Sequence, residues 1–135
     1  MSGSANNEAI TKDEFLTAIE CIALSVFEFH ERFGIPAVGV TASEEEILAR
    51  TRTRLSYLVE EIGEHAKDLN QSNLSEASLE LADVAFVAIG TLLELDKIGT
   101  EACANVARKN DMKTLSTHEI ESGSGKLVKK NNIVN

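Results

Sequence analysis

Apolar positions recur at helical spacing along most of the chain. In the first stretch, Phe15, Ile19, Ile22, Val26, Phe29 and Phe33 keep the i, i+3, i+4 rhythm of one helix face. Thr11 followed by Glu14 predicts a capping box at its start, and Gly34 with Pro36 predicts its end. A linker through Pro36, Gly39 and Thr41 is long enough to cross from one end of a helix bundle to the other. Ser43 and Glu46 predict a second box, and the intervening acids suit a positive helix N-terminus. The stripe Leu48, Leu55, Val59, Ile62, Ala66 and Leu69 carries that second helix to residue 69. The polar run NQSNLS predicts a turn, with Asn73 capping a third helix and Glu76 behind it. The pattern carries the third helix to about Lys97. Gly99 reads as a break, and Thr100 as the start of a shorter fourth helix through ACANVARKN. From Ser116 onward, turn residues and scattered charge predict an extended or partly disordered tail. The expectation is an all-α, four-helix domain over residues 11–115, after a disordered lead of residues 1–10 and before a tail of residues 116–135.

Composition narrows this further. Apolar residues make up 43% of the chain but aromatics only 4%, with no Trp, so the core must be built from Leu, Ile, Val and Ala. A single proline is consistent with long uninterrupted helices, and no train of alternating β-branched segments competes with them. The net charge of −9 argues against nucleic-acid backbone binding and gives no reason to expect an anionic membrane surface as partner. So acidic a protein needs a cation as intermediary if it handles phosphates. Cys21 and Cys103 read as reduced thiols in a cytoplasmic protein rather than as a disulfide framework. The start MSGSANNEA lacks the basic-then-apolar order of a secretory leader, and the uncharged run from Val84 to Leu93 is too short to span a bilayer.

Two acidic pairs stand out. On a helix, residues three apart differ by about 60° around the axis, so Glu61 and Glu64 share a face, as do Glu80 and Asp83. The short turn between the second and third helices makes them antiparallel neighbours, which can bring four carboxylates together. The second helix by itself places Glu60 and Glu64 opposite its apolar stripe, with Glu61 on the flank, and this reads as a solvated face. The third helix is apolar around almost its whole circumference, which predicts burial, and Glu80 and Asp83 enter it on a narrow stripe. Buried like charges neutralise, pair or bind a metal, and Lys67 is the one Lys or Arg between Glu60 and Asp83. A hard divalent cation fits an all-oxygen set: Mg²⁺, with Mn²⁺ as a substitute. The Glu-x-x-His pairing of di-iron bundles is missing, since His65 directly follows Glu64 and neither His30 nor His118 has a Glu three residues earlier. Zinc is disfavoured because no Cys or His pair stands at ligand spacing. Because Mg²⁺ commonly shares its ligands between carboxylates and substrate phosphates, phosphate-ester or phosphoanhydride chemistry is expected.

The two acidic claws and their spacing resemble the all-α nucleoside triphosphate pyrophosphohydrolases of MazG type, in their small single-domain form. FEFHERFGIP (residues 27–36), VARKNDMKT (residues 106–114) and the tail SGKLVKK are similar to segments of the same family, so the resemblance covers roughly residues 15–130. It implies hydrolysis of a nucleoside triphosphate, with a deoxynucleotide the expected substrate, to the monophosphate and pyrophosphate, as house-cleaning of the nucleotide pool. Glu61, Glu64, Glu80 and Asp83 would hold Mg²⁺, with Glu61 counted in the catalytic centre. Glu60 matches the extra acid that orients or deprotonates the attacking water, although it also reads as an exposed helix acid. Asn110 and Lys113 would meet the sugar or base and the phosphates, with Lys109 and Arg108 as weaker candidates. Phe29 and His30 would contribute to a base pocket, but Phe29 and Phe33 equally suit a core stripe and His30 a surface or interface position. Lys126 and Lys129 would fold over phosphates, or simply be solvated. The resemblance also implies a homo-oligomer, a tetramer built as a dimer of dimers, with sites near subunit interfaces. Two other readings stay open: a phosphoribosyl-ATP pyrophosphohydrolase, which FEFHERFG disfavours, and a non-catalytic helical module for binding or oligomerisation.

Overall fold

Local capping chemistry sets where the helices of the structure begin. The structure is a computed structural model that describes residues 8–131, so most of the expected lead of residues 1–10 lies outside the described residues. Four helices, α1 (Lys12–Phe33), α2 (Glu44–Asn70), α3 (Leu74–Glu94) and α4 (Lys97–Asp111), precede two short strands, β1 (His118–Ile120) and β2 (Leu127–Lys129). Thr11 and Glu14 make the reciprocal box at the start of α1, with bonds of 3.0 and 3.1 Å. The backbone N–H of Thr11 holds the Glu14 carboxyl below its usual range. Gly34 ends α1 in the left-handed region at φ 62°, where a residue without Cβ is unstrained. Ser43 caps α2 by accepting from Glu46 N at 3.1 Å, but its hydroxyl then donates to the Glu46 carboxylate instead of completing a reciprocal box. Asn73 Oδ1 accepts from Glu76 N at the head of α3.

The corner after α3 differs from the expectation. The helix stops at Glu94, and Asp96 makes the turn at φ 57°. Gly99 is not a break: it lies inside α4, where a Cβ would collide with the Leu92 backbone carbonyl. Its role is a close approach between chain segments, not a change of direction. The expected extended tail is an antiparallel hairpin, with His118 opposite Lys129 and Ile120 opposite Leu127.

The chain divides into two compact units, residues 1–99 and residues 100–135. In the first, α2 packs along α3, and α1 packs on α3, which the side chains of Phe29 and His30 contact, while Val26 of α1 is buried. The Phe29 ring stands edge-on to Phe86 at 5.5 Å. Further along the same seam a buried ionic knot ties all three helices together. Glu94, 2% exposed, accepts from His30 Nε2 at 2.9 Å, Arg54 at 3.0 Å and Arg50 at 3.1 Å. Gly90 leaves the room this knot needs, since a Cβ there would stand 2.7 Å from the Arg54 guanidinium. Arg50 also donates to the Pro36 carbonyl, and Val38 N donates to the Glu94 carbonyl, so the linker after α1 is held by the same residues.

The all-round burial expected of α3 is not realised within one chain. Only Ala77, Gly90 and Glu94 of that helix are buried, while Leu79 and Leu81 are 60% and 54% exposed. Two helices pack on α3, and two neighbours cannot surround a third helix. The second unit holds most of α4 and the β1–β2 hairpin, whose turn runs through Gly123 and Gly125 at positive φ. No helix among the described residues is long and apolar enough to cross a membrane.

Candidate functional site

The antiparallel α2–α3 pair positions the acids. Pairings along the seam run in opposite directions: Arg50 meets Glu94, Arg54 meets Thr91 and His65 meets Ala77. At intermediate positions, Glu61 and Glu64 on α2 face Glu80 on α3. One carboxylate oxygen from each of these three lies within 4.8 Å of the others. Glu61 and Glu80 are half-buried, and Glu64 is exposed. Glu61 Oε2 and Glu80 Oε2 are shielded from solvent and have no hydrogen-bond partner.

Asp83 lies on the outer edge of this group. It is exposed and is not one of the three converging carboxylates, so the anticipated four-acid cluster is a trio with a fourth charge nearby. The electrostatics record the crowding. Glu80 is pushed up from an ordinary 4.5 to about 7, first by burial, then by the crowding of Glu64, and further by the charges of Asp83 and Glu61. Glu61 is raised as well, by burial first and then by Glu64 and Asp83. Glu60 is exposed and adds a small push on Glu61.

A group of this kind is the wrong design for a solvated helix face. Unpartnered, shielded carboxylate oxygens cost free energy unless something positive meets them. The donor set is all oxygen and hard, with no Cys or His in it, which fits Mg²⁺ or Mn²⁺. Glu61, Glu64 and Glu80 are the residues able to hold such an ion, with Asp83 close enough to add charge.

The other expected site residues fall elsewhere. Phe29 is half-buried, packed on Phe33 at 4.8 Å and on Phe86 at 5.5 Å. His30 was expected at a surface or interface, but it is 6% exposed and both ring nitrogens are engaged, with the Val26 carbonyl and with Glu94. Its partner Glu94 stands fourteen residues beyond Glu80 on α3, roughly 20 Å along the axis. In the second unit, Lys113 Nζ donates to Asn110 Oδ1 at 3.0 Å, and both residues are near the end of α4. Lys109 is exposed on α4, and Lys126 leads into β2, its backbone N–H bonded to Ser124 Oγ. Sequence reasoning missed Arg50, Arg54 and Glu94. The available signal was a charged residue, Glu94, placed directly after the uncharged run from Val84 to Leu93.

The sequence pattern of phosphoribosyl-ATP pyrophosphohydrolases matches residues 26–110, a span that contains Glu60, Glu61, Glu64, Glu80, Asp83 and Glu94 and ends at Asn110. The chain belongs to this family. As a member of the phosphoribosyl-ATP pyrophosphohydrolase family it is a hydrolase of a phosphoanhydride, and the family sits within the all-α superfamily that includes the MazG-like enzymes. The sequence resemblance therefore holds at superfamily level, while the matched family is the one that FEFHERFG had disfavoured. No curated protein and no solved structure matches the chain.

Proposed function

We propose that the chain is a Mg²⁺-dependent pyrophosphohydrolase that cleaves (deoxy)nucleoside triphosphates to the monophosphate and pyrophosphate, acting in house-cleaning of the nucleotide pool. One observation carries the reading: three carboxylates of a phosphoanhydride hydrolase converge within 4.8 Å, and two of their oxygens lack any partner. Glu61, Glu64 and Glu80 hold the cation, and Asp83 adds to the field that retains it. When held there, Mg²⁺ or Mn²⁺ would supply positive charge to offset that of the scissile phosphoanhydride. Glu60, exposed one position before the first ligand, orients the attacking water or takes its proton. Asn110 and Lys113 offer an amide for the sugar or base and an ammonium for phosphates. The protein works as a homo-oligomer, because much of the apolar surface of α1, α2 and α3 is uncovered in a single chain.

The name of the matched family supplies a second candidate substrate, phosphoribosyl-ATP, whose triphosphate offers the same kind of bond. A single panel separates the readings: purified protein with Mg²⁺, canonical and modified nucleoside triphosphates, and phosphoribosyl-ATP, with pyrophosphate release as the readout. Release from nucleoside triphosphates, lost in EDTA, is expected. Turnover of phosphoribosyl-ATP alone would establish the second reading. Absence of pyrophosphate from every substrate would leave the non-catalytic helical module.

A further inference from the structure

The three acids have the same sign and lie on two separate helices, so their repulsion acts to push α2 and α3 apart. Polar contacts stand on both sides of them along the seam. On one side, Arg54 of α2 donates to the Val87 carbonyl of α3 at 2.9 Å and to Thr91 Oγ1 at 3.1 Å. On the other side, His65 Nδ1 lies 2.7 Å from the Ala77 carbonyl oxygen. A carbonyl only accepts, so Nδ1 carries the hydrogen and donates it. His65 follows Glu61 by four residues on α2, and Ala77 precedes Glu80 by three on α3. In an antiparallel pair these offsets make Glu61–Glu80 and His65–Ala77 consecutive rungs, one helical turn apart. Ala77 is 1% exposed, so the acceptor end of the bond is fixed in the packed seam.

We propose that His65 is a positioning residue of the carboxylate centre. Its bond to the Ala77 carbonyl sets the separation and axial offset of α2 on α3, which keeps Glu61, Glu64 and Glu80 at cation-binding spacing. The inference rests on the reading of those acids as metal ligands. An apolar side chain at position 65 could fill the same volume, but packing tolerates axial sliding that a hydrogen bond of narrow length and angle does not. The bond goes to backbone, so the offset does not depend on a second side chain's rotamer. His65 thereby acts on the ligands as an outer-shell group acts in a metal site, through geometry and not through contact with the ion.

The test uses Mn²⁺ alone as the probe, added to the full-length, metal-free protein and followed by loss of the electron paramagnetic resonance signal of the free aqueous ion. His65→Leu removes the donor and keeps the bulk, and His65→Phe is a second donor-free variant that keeps a ring. His65→Asn places an amide N–H where Nδ1–H stands. The donor-free variants, with wild-type helix content by circular dichroism, are expected to bind Mn²⁺ about tenfold more weakly. The Asn variant is expected to recover most of the loss. A folded donor-free variant that binds as wild type does, or an Asn variant as weak as Leu, overturns the role of His65 while leaving the metal site in place. Wild-type protein that takes up no Mn²⁺ overturns the metal reading and this inference together.

Discussion

Glu80 is the residue whose chemistry reports most directly on the site. Its carboxyl is raised to about 7 against an ordinary 4.5, so between those values the folded chain holds a proton that the unfolded chain has released. Bound protons in excess on the native side mean that stability falls as pH rises. The metal-free protein is therefore expected to lose thermal stability from about pH 4.5 to pH 7 through this group, and to lose no more through it above that window. Cation binding needs the carboxylate, so Mg²⁺ affinity is expected to climb over the same window and then level off. Melting curves in EDTA and in Mg²⁺ across this range measure both. Glu80→Gln removes the titrating group: in EDTA at pH 8 it should melt above wild type, and Mg²⁺ should neither stabilise it nor support turnover. A Gln variant that still gains stability from Mg²⁺ as wild type does would remove Glu80 from the ligand set. The special status of Glu80 was legible in sequence, because an acid in an apolar helix raises the question of its partner. The status of Glu94 was only half legible, although it is the more deeply buried: the uncharged run before it marks the acid but not its partners. Its partners His30, Arg50 and Arg54 come from two other helices, and only the tertiary arrangement brings them within 3.1 Å.

Among elements, the helices that begin with a side-chain cap were readable to within a residue or two. Thr11, Ser43 and Asn73 each sit immediately before a helix and accept from the backbone N–H three residues on. Such contacts are local, so the local sequence specifies them. The α3–α4 corner was misread because its logic is not local. Asp96 makes the turn in a conformation that favours glycine, while the glycine nearby serves packing instead. Gly99→Ala tests this reading. In an ordinary exposed helix position the change would add helix propensity and stabilise slightly. Here the new Cβ meets the Leu92 carbonyl, a backbone atom that cannot rotate away, and destabilisation of about 2 kcal/mol is expected from overpacking. Urea unfolding of the two proteins gives the sign. A stabilised Ala variant would mean that Gly99 is only a helix residue of low propensity.

At the scale of the whole molecule, the apolar pattern and the burial disagree. The sequence predicts faces that should be covered, but in the described residues the buried apolar side chains are Val26, Val38 and Ala77. Phe15, Leu55, Leu79 and Leu81 are each more than half exposed, and they are spread over α1, α2 and α3. Helix periodicity is written in one chain, whereas what covers the apolar face is not, so this part of the fold could be read only as an unmet requirement. Fully burying a Leu or Phe side chain contributes about 2 kcal/mol, and the first unit, with so few fully buried apolar residues, gains little of this within one chain. Copies of the chain are the proposed cover. Each carries a net charge of −9, so association should strengthen as salt screens their repulsion. Light scattering should then give a particle at least twice the 14.6 kDa chain mass, and the melting temperature should rise with protein concentration, as it does when folding and assembly are linked. A 14.6 kDa particle whose melting temperature is unchanged by dilution would show that α1, α2 and α3 remain folded with those faces in water, and the oligomer would be ruled out.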